Sequence, residues 1–371
     1  MYQFSFYNPV RSHVGRGKYK EIATLAKGSR VFLMSDPIIS KMPYFEECKA
    51  LLGSRCVAIF TEVAPNPECD TVNAAIKIAK DSNADCIVAI GGGSTLDCGK
   101  AVAAMVKSTE PAEAYVNGSA KLDKGRLELI LCPTTAGTGS EVTNVAVITD
   151  TKIFKKTALV SDYFYGDIAV IDPSLTATMP RKVAASSGFD AMCHAVECYW
   201  NKVATPVSDS IALYAMKLIC NNLTQACDGN DDAREEMVVA SYMAGMAFNQ
   251  TRTTICHAAS YYLTARFGID HGTACTFTLI PFLKFNCKDP AVKAKFDVVG
   301  AFCGVKDSDG FIKKLEEMYD YLELPKHLSQ YKVEEKDLKD ITQECVNVGS
   351  SKLNACDASY DDVYAILKEI L

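Results

Sequence analysis

Four side chains able to bind a metal ion lie in the second half of the chain. Asp190 and His194 are four residues apart, a spacing that places both on one face of a helix. His257 lies in an apolar helical context, and His271 follows fourteen residues later. One carboxylate and three neutral imidazoles suit a divalent iron or zinc ion, which acts as a Lewis acid on a carbonyl oxygen. For each histidine alone, a hydrogen-bonded core imidazole is the more common explanation, so the Fe2+ or Zn2+ hypothesis requires all four ligands to converge.

A run of three glycines is the second feature that favours binding chemistry. Gly91, Gly92 and Gly93 follow a predicted strand, and Ser94 opens a predicted helix. Glycines let the backbone approach a ligand closely, and the free N–H groups of a helix start favour a phosphate. Ser94 is suited to cap the helix or to contact that phosphate. A tight strand-to-helix turn without a ligand is the alternative, since the run lacks the spaced Gly-x-Gly-x-x-Gly pattern.

Two further strand ends carry polar groups. Residues 132–141 follow a predicted strand and are rich in hydroxyl groups that can bond ribose, phosphate or amide groups, although an ordinary polar turn has the same composition. Asp36 follows another predicted strand. A carboxylate there bonds the ribose hydroxyls of a dinucleotide and repels a 2′-phosphate, which predicts NAD(H) rather than NADP(H). Asp36 is also well placed to cap a helix near Pro37.

Predicted strands and helices alternate along the first half of the chain. Helical spacing of apolar residues predicts a helix over residues 70–80. Residues 143–149 and 157–160 predict a hairpin. Short apolar segments predict strands at residues 30–34, 56–60, 86–90, 129–132 and 168–171. This order predicts a parallel sheet with helices on both faces.

The pattern changes near Met179 and Pro180. Beyond this point the periodicity is helical and predicts no strand, with helix starts at Thr205-Pro206 and around Asp307. The predicted organisation is therefore an α/β domain over residues 1–179 and an all-helical domain over residues 180–371, packed tightly with a cleft between them.

Composition excludes several classes of protein. The 371 residues are 49% hydrophobic and 23% charged, which is typical of a globular chain. The net charge of -6 argues against a nucleic-acid partner. The sequence contains no run of about 18 apolar residues, so no membrane span is predicted. The first residues do not resemble a signal peptide, which predicts a cytoplasmic location. Sixteen cysteines without a Cys-x-x-Cys pair predict reduced, mostly buried thiols rather than a thiolate metal cluster.

Taken together, these motifs resemble the iron-containing (group III) alcohol dehydrogenases. The resemblance runs from about Phe4 to beyond Pro281 and rests on motifs that occur in the order of that family: residues 91–97, residues 133–143, Asp172-Pro173, Asp190-x-x-x-His194 and the His257–His271 pair. It implies an N-terminal Rossmann-like dinucleotide domain, a C-terminal all-α domain, an active site with its metal in the interdomain cleft, and a homodimer or larger assembly.

The resemblance also assigns site residues. It makes Asp190, His194, His257 and His271 the metal ligands. The positions that it assigns to the NAD(H) site are Asp36, Asn66, Gly92, Gly93, Ser94, Thr134, Thr135, Thr138 and Lys156, with Asp97, Val147 and Leu175 added on a less specific match.

One position departs from the family pattern. Many members carry a further histidine four residues after the first histidine of the His-x13-His segment, and this chain has Tyr261 there. That histidine is thought to relay a proton or to contact the nicotinamide. Tyr261, a water or the ribose hydroxyls are candidates to replace it, and core packing is the other explanation for Tyr261.

The segment from Thr251 to Gly272 is similar to reductases of phosphonoacetaldehyde and sulfoacetaldehyde. These substrates are two-carbon aldehydes that bear an anion, and Arg252 just ahead of His257 is suited to bind one. A surface or interdomain ion pair is the alternative role for Arg252.

The implied activity is hydride transfer between NADH and a short-chain aldehyde, with an anionic C2 aldehyde as the candidate substrate. Polyol oxidation of the glycerol-dehydrogenase type is the nearest alternative. A metal-dependent lyase or hydrolase resembling dehydroquinate synthase, and a non-catalytic nucleotide-binding protein, are alternatives from other classes.

Overall fold

The computed structural model describes residues 3–153 and 155–371. Contacts divide the chain into two compact units. The α/β unit contains Asn8–Thr135 and Gly139–Thr178. The helical unit contains Met179–Leu371, the described part of Met1–Tyr7, and the short segment Ala136–Thr138. Neither of the two short segments of the helical unit is anticipated by the sequence. The boundary at 179/180 and the interdomain active site stay predictions.

The α/β unit is built on a parallel sheet. The strands in its described residues are β1 (Arg11–Val14), β2 (Val31–Met34), β3 (Cys56–Phe60), β4 (Cys86–Gly91), β5 (Glu128–Pro133), β6 (Val145–Asp150), β7 (Lys155–Val160) and β8 (Ile168–Ile171). Six of them form one parallel sheet in the order β1-β8-β5-β4-β2-β3, and β6 and β7 form the predicted antiparallel hairpin. The predicted parallel fold is therefore confirmed. The sequence gives no apolar signal for β1, a short edge strand that pairs with β8.

Helices cover both faces of this sheet, because alternate residues of each buried strand point to opposite sides. Phe32 belongs to a core cluster on one face, and its neighbour Leu33 belongs to a cluster on the other. The helices of the unit are α1 (Ile22–Leu25), α2 (Pro43–Leu52), α3 (Cys69–Asp81), α4 (Gly93–Met105) and α5 (Ala112–Val116). Residues of α3, α4 and α5 pack on the face of Phe32, and residues of α1 and α2 pack on the face of Leu33.

The strand order identifies the point at which such a sheet binds ligands. From β2 the chain moves outward to β3, and from β4 it moves in the opposite direction to β5. The helices that follow β2 and β4 therefore diverge to opposite faces, which opens a crevice at the carboxyl ends of these two strands.

The second unit is helical, as predicted. Its helices are α6 (Arg181–Trp200), α7 (Pro206–Cys227), α8 (Asp231–Thr251), α9 (Ile255–Phe267), α10 (His271–Asn286), α11 (Pro290–Phe302), α12 (Ser308–Tyr321), α13 (Leu338–Asn347) and α14 (Tyr360–Glu369). No strand occurs among residues 179–371, all of which are described. Both predicted helix starts are confirmed, because the Thr205 hydroxyl accepts the backbone N–H of Ser208, and the Asp307 carboxylate accepts that of Gly310. Within the described residues, no helix combines the length and apolar character required to span a bilayer.

All sixteen cysteines are unpaired, and thirteen of them are buried. This agrees with the prediction of reduced thiols. One of them, Cys275, lies among the candidate metal ligands described below.

Candidate metal centre and dinucleotide-binding edge

One face of α6 carries three ionisable side chains that are buried in the helical unit. Asp190, His194 and Glu197 follow one another at helical spacing, so they lie on the same side of α6. The exposed fraction is 2% for Asp190, 4% for His194 and 0% for Glu197. Buried charged groups require partners, and these partners come from α9 and α10.

The starts of α9 and α10 bring His257 and His271 to this face. His271 is the first residue of α10, and its neighbour Gly272 packs so closely on α6 that a Cβ there would lie 2.5 Å from the Ser186 carbonyl oxygen. Asp270 caps α10 by accepting the backbone N–H of Thr273 at 3.1 Å, and it also accepts the Ser186 hydroxyl. Two contacts with α6 thus fix the start of α10.

The four predicted ligands converge. Nε2 of His194 lies 2.9 Å from Nε2 of His257. Oδ1 of Asp190 lies 3.5 Å from Nε2 of His257 and 4.0 Å from Nε2 of His271. Oxygen and nitrogen atoms bound tetrahedrally to one zinc or iron ion are separated by roughly 3.4 Å, given bond lengths of about 2.0–2.2 Å. The observed 3.5 Å is close to this value, and 2.9 Å and 4.0 Å lie on either side of it, so these side chains are near enough to share one ion.

Outer partners orient the rings of two of these histidines. Nδ1 of His194 donates to the carbonyl oxygen of Gly137 at 3.2 Å, and a Cβ at Gly137 would lie 2.5 Å from the Ser187 carbonyl oxygen. Nδ1 of His257 donates to Oε2 of Glu197. Because Nδ1 is the donor in each ring, both Nε2 atoms are directed at the same point, which is the arrangement that outer hydrogen bonds impose on metal-binding histidines.

Glu197 is itself held by a network of donors. Its Oε1 accepts the Thr254 N–H at 3.0 Å, the Thr254 hydroxyl at 2.8 Å and the Cys256 N–H at 2.8 Å. The indole of Trp200 donates to the Thr254 hydroxyl at 2.8 Å. The backbone that leads into α9 is thereby tied to α6, and this fixes His257. Glu197 is not among the residues predicted from the sequence, although its spacing of three residues from His194 is a usable signal.

The electrostatics of the cluster favour a positive charge. Burial lowers the pKa of His194 to about 4, so this ring is neutral and has a lone pair to offer. Burial opposes protonation of His257, but its acidic neighbours Cys275, Glu197 and Asp190 outweigh this effect and raise its pKa well above the ordinary value. The pKa of Asp190 is lowered, because the three histidines outweigh the effect of its burial.

Asp190 carries the clearest sign of an ion site. Its Oδ1 atom is buried and has no hydrogen-bond partner within bonding distance, so a cation must compensate its charge. A proton on His257, whose Nε2 lies 3.5 Å away, or a bound metal ion can supply that positive charge. A carboxylate oxygen and three imidazole nitrogens are donors that divalent iron and zinc accept. The residues present therefore fit the ion that the sequence predicts.

The two predicted catalytic residues lie on either side of His257 in the chain. Tyr261 is partly buried one helical turn after His257 on α9. Arg252 follows α8, and its backbone has φ 72° and ψ 168°, a region that is essentially restricted to glycine. Asn201 holds this conformation by donating to the carbonyl oxygens of Thr251 at 3.2 Å and Arg252 at 3.1 Å.

In the α/β unit, three predicted cofactor residues meet at the carboxyl edge of the sheet. The backbone N–H of Asn66 donates to the Ser94 hydroxyl at 3.1 Å, and the Lys156 ammonium donates to the Asn66 side-chain oxygen at 2.8 Å. Ser94 lies in the first turn of α4, directly after Gly92 and Gly93. The helix start and the lysine together make this position favourable for a phosphate.

The neighbouring strand ends complete this edge. Thr134 donates its N–H to the Gly91 carbonyl oxygen at 3.0 Å, and the side chain of Thr135 lies 3.5 Å from the position that a Cβ on Gly92 would occupy. Asp36 lies after β2, on the other side of β4. Its Oδ1 accepts the N–H groups of Ile38 and Ile39, both at 2.9 Å, so the capping role foreseen for Asp36 is present.

The remaining predicted cofactor residues have other surroundings. The Asp97 carboxylate accepts the Ser140 hydroxyl at 2.6 Å and the Val147 N–H at 2.9 Å, and it lies 3.7 Å from the buried Lys100 ammonium. Leu175 is 1% exposed within the apolar core. Thr138 belongs to the helical unit by its contacts. These positions are structural in part, and their contact with a cofactor stays a prediction.

Comparison with known families identifies both halves of the chain. The family model described as "Iron-containing alcohol dehydrogenase" matches residues 9–173, and the model described as "Fe-containing alcohol dehydrogenase family, C-terminal" matches residues 184–371. The chain belongs to the iron-containing alcohol dehydrogenase family. It is accordingly an oxidoreductase that acts on CH–OH groups.

Individual members of the family are similar over nearly the whole chain. Alcohol dehydrogenase 4 of Schizosaccharomyces pombe is 31% identical over 99% of this chain and 89% of its own length. The sulfoacetaldehyde reductase of Bilophila wadsworthia is 34% identical over 87% of each protein. The structure of a sulfoacetaldehyde reductase from Bifidobacterium kashiwanohense in complex with NAD+ has 30% identity and a TM-score of 0.93, covering 100% of this chain and 99% of that one.

The outer network makes Glu197→Gln informative for this alcohol dehydrogenase. The amide removes the charge that orients His257, so we expect the affinity for the divalent ion to fall on the order of ten- to a hundredfold. Competition with a chromophoric chelator measures this, with Glu317→Gln as the control because Glu317 is exposed on α12. Unchanged affinity in a folded Glu197→Gln variant would show that Glu197 does not support the site.

Proposed function

We propose that the protein is an NAD(H)-dependent, metal-containing alcohol dehydrogenase that transfers hydride between NADH and a short-chain aldehyde. The convergence of Asp190, His194, His257 and His271 around one point carries this proposal. The buried Asp190 oxygen without a hydrogen-bond partner also supports a cation at this point.

A bound divalent ion supplies Lewis-acid polarisation of the carbonyl oxygen, and the nicotinamide supplies the hydride. Asp190 and the three histidines hold the ion, and Glu197 keeps the His257 ring in place. In the α/β unit, Gly92, Gly93 and Ser94 present backbone and hydroxyl donors to the pyrophosphate. Asn66 lies beside them through its hydrogen bond to Ser94, and Lys156 is bonded to Asn66. The remaining proposed contacts to the dinucleotide come from Thr134, Thr135, Thr138 and Asp36.

Tyr261 is the proposed source of the proton that the alkoxide product requires. Burial raises the pKa of Tyr261, so its hydroxyl keeps the proton at neutral pH. It occupies the position at which many family members carry a histidine, one helical turn from His257. A protonated phenol there is able to donate a hydrogen bond to an oxygen near the ion.

The proposed substrate is a two-carbon aldehyde that carries an anion, such as sulfoacetaldehyde or phosphonoacetaldehyde. The strained backbone of Arg252 supports this, since strain of this kind concentrates at binding sites and must be held by surrounding contacts. The Asn201 amide supplies two such contacts. The similarity to two sulfoacetaldehyde reductases supports the same class of substrate.

Assembly into a homodimer or a larger oligomer and a cytoplasmic location stay proposals. Both follow from the family resemblance and from the composition of the chain, and light scattering on the purified protein measures the assembly.

The activity is tested directly with the purified protein reconstituted with Fe2+ or Zn2+. NADH consumption is followed with phosphonoacetaldehyde, sulfoacetaldehyde, lactaldehyde, butanal and succinic semialdehyde, and NADPH is compared with the best of them. We expect reduction of the anionic C2 aldehydes, a preference for NADH, and loss of turnover on chelation. A metal-dependent lyase would leave NADH absorbance unchanged, and oxidation of glycerol without aldehyde reduction would favour the polyol alternative.

Arg252→Ala tests the anion site. Loss of charge-assisted hydrogen bonds is worth about 1.5–3 kcal/mol, so we expect KM for sulfoacetaldehyde to rise by roughly tenfold or more. KM for butanal should change little, because butanal carries no anion. Arg266→Ala, an exposed position in the last turn of α9, is the matched control. Equal effects of Arg252→Ala on both aldehydes would make Arg252 a structural residue.

A further inference from the structure

A cysteine thiol lies among the candidate metal ligands. Cys275 is one helical turn after His271 on α10, so both side chains leave the same face of that helix. Its sulfur lies 3.8 Å from Nε2 and 3.9 Å from Nδ1 of His271. Single donor atoms of Asp190, His257, His271 and Cys275 all lie within 4.8 Å of one another.

This environment distinguishes Cys275 from the other buried cysteines. Across residues 3–153 and 155–371, it is the only cysteine that belongs to such a group of potential ligands. The group also contains Asp190, whose buried Oδ1 atom lacks a hydrogen-bond partner. Cys275 thus lies beside a buried carboxylate oxygen whose charge a cation would compensate.

The separation of the sulfur from its neighbours matches a shared ion. A thiolate sulfur and an imidazole nitrogen that lie about 120° apart around a zinc ion with five ligands are separated by roughly 3.8 Å, from bond lengths of about 2.3 Å and 2.0–2.1 Å. The observed 3.8 Å between Cys275 Sγ and His271 Nε2 is close to this value. The His271 side chain is 31% exposed, so it is the most accessible of the four predicted ligands and leaves room beside it for a further donor.

We propose that the Cys275 thiolate is a fifth ligand of the divalent ion and that it biases the site towards zinc over iron. The proposal rests on the metal centre of the proposed function. Ion binding forms a sulfur–metal bond and releases the thiol proton to solvent, with no change of oxidation state. The carboxylate of Asp190 and the thiolate each contribute one negative charge to a divalent ion, and the buried Glu197 carboxylate behind His257 adds a third.

The preference for zinc follows from the chemistry of the donor. Thiolate is a soft ligand that zinc accepts readily, whereas carboxylate and imidazole alone discriminate weakly between iron and zinc. A site with one oxygen, three nitrogens and one sulfur therefore favours zinc more than a site with oxygen and nitrogen only.

Cobalt provides a spectroscopic test that does not depend on activity. Co2+ is added to the full-length chain, to Cys275→Ser, to Cys275→Ala and to Cys287→Ser. Cys287 lies at the end of the same helix and is partly buried, so it is the matched control. We expect a near-ultraviolet sulfur-to-cobalt charge-transfer band in the native chain and in Cys287→Ser, and its loss in both Cys275 variants.

Competition between metals gives the second readout. The ratio of Zn2+ to Fe2+ affinity is measured anaerobically with chelators, and it should fall by roughly tenfold in Cys275→Ala, because the soft donor that favours zinc is lost. An unchanged ratio would overturn the proposed bias.

The outcomes separate the two proposals. Bound cobalt that shows visible ligand-field bands without the sulfur band would overturn the role of Cys275 and leave the Asp190 and histidine site in place. Failure of the native chain to bind cobalt, zinc or iron would overturn both the thiolate ligand and the metal centre. A sulfur band that persists in Cys275→Ala would assign it to another cysteine and overturn the proposal.

Discussion

A buried carboxylate oxygen without a hydrogen bond of ordinary length is the constraint around which the candidate metal centre is arranged. Oδ1 of Asp190 is enclosed by protein and faces the Nε2 atoms of His257 and His271. An isolated buried charge costs several kcal/mol, and the neutral His194 ring also presents a lone pair that needs a partner at the same place. A single cation resolves both problems at once. The pKa directions agree, since the cluster retains positive charge on His257 against the effect of burial.

The surrounding structure keeps this arrangement from relaxing. Glu197 accepts donors from the backbone that leads into α9, so His257 cannot turn its Nε2 away without breaking that network. The carbonyl oxygen of Gly137 fixes the orientation of the His194 ring by accepting a hydrogen bond from its Nδ1. Because Gly137 has no side chain, its backbone can approach α6 closely. Gly272 brings the start of α10 equally close. Packing and hydrogen bonds therefore hold these side chains in an arrangement that suits a bound cation.

The sequence predicts local features well and long-range convergence only through resemblance. Apolar strands and capped helix starts depend on neighbouring residues, so they could be placed from their pattern. No spacing rule brings His257 to α6, because 63 residues separate it from His194. Glu197 was missed because a glutamate on a helix is usually solvated, and β1 was missed because an edge strand needs few apolar residues. Asp36 remained ambiguous since capping and ribose binding demand the same carboxylate at the same strand end.

The central claim is that one ion is held by Asp190, His194, His257 and His271. Anomalous X-ray diffraction at the iron or zinc absorption edge, from crystals of the metal-loaded protein, tests it most directly. We expect one anomalous peak within about 2.0–2.3 Å of a carboxylate oxygen of Asp190 and of an Nε2 atom of each histidine. A peak at another location, or metal-loaded crystals whose only anomalous scatterers lie on the surface, would contradict it.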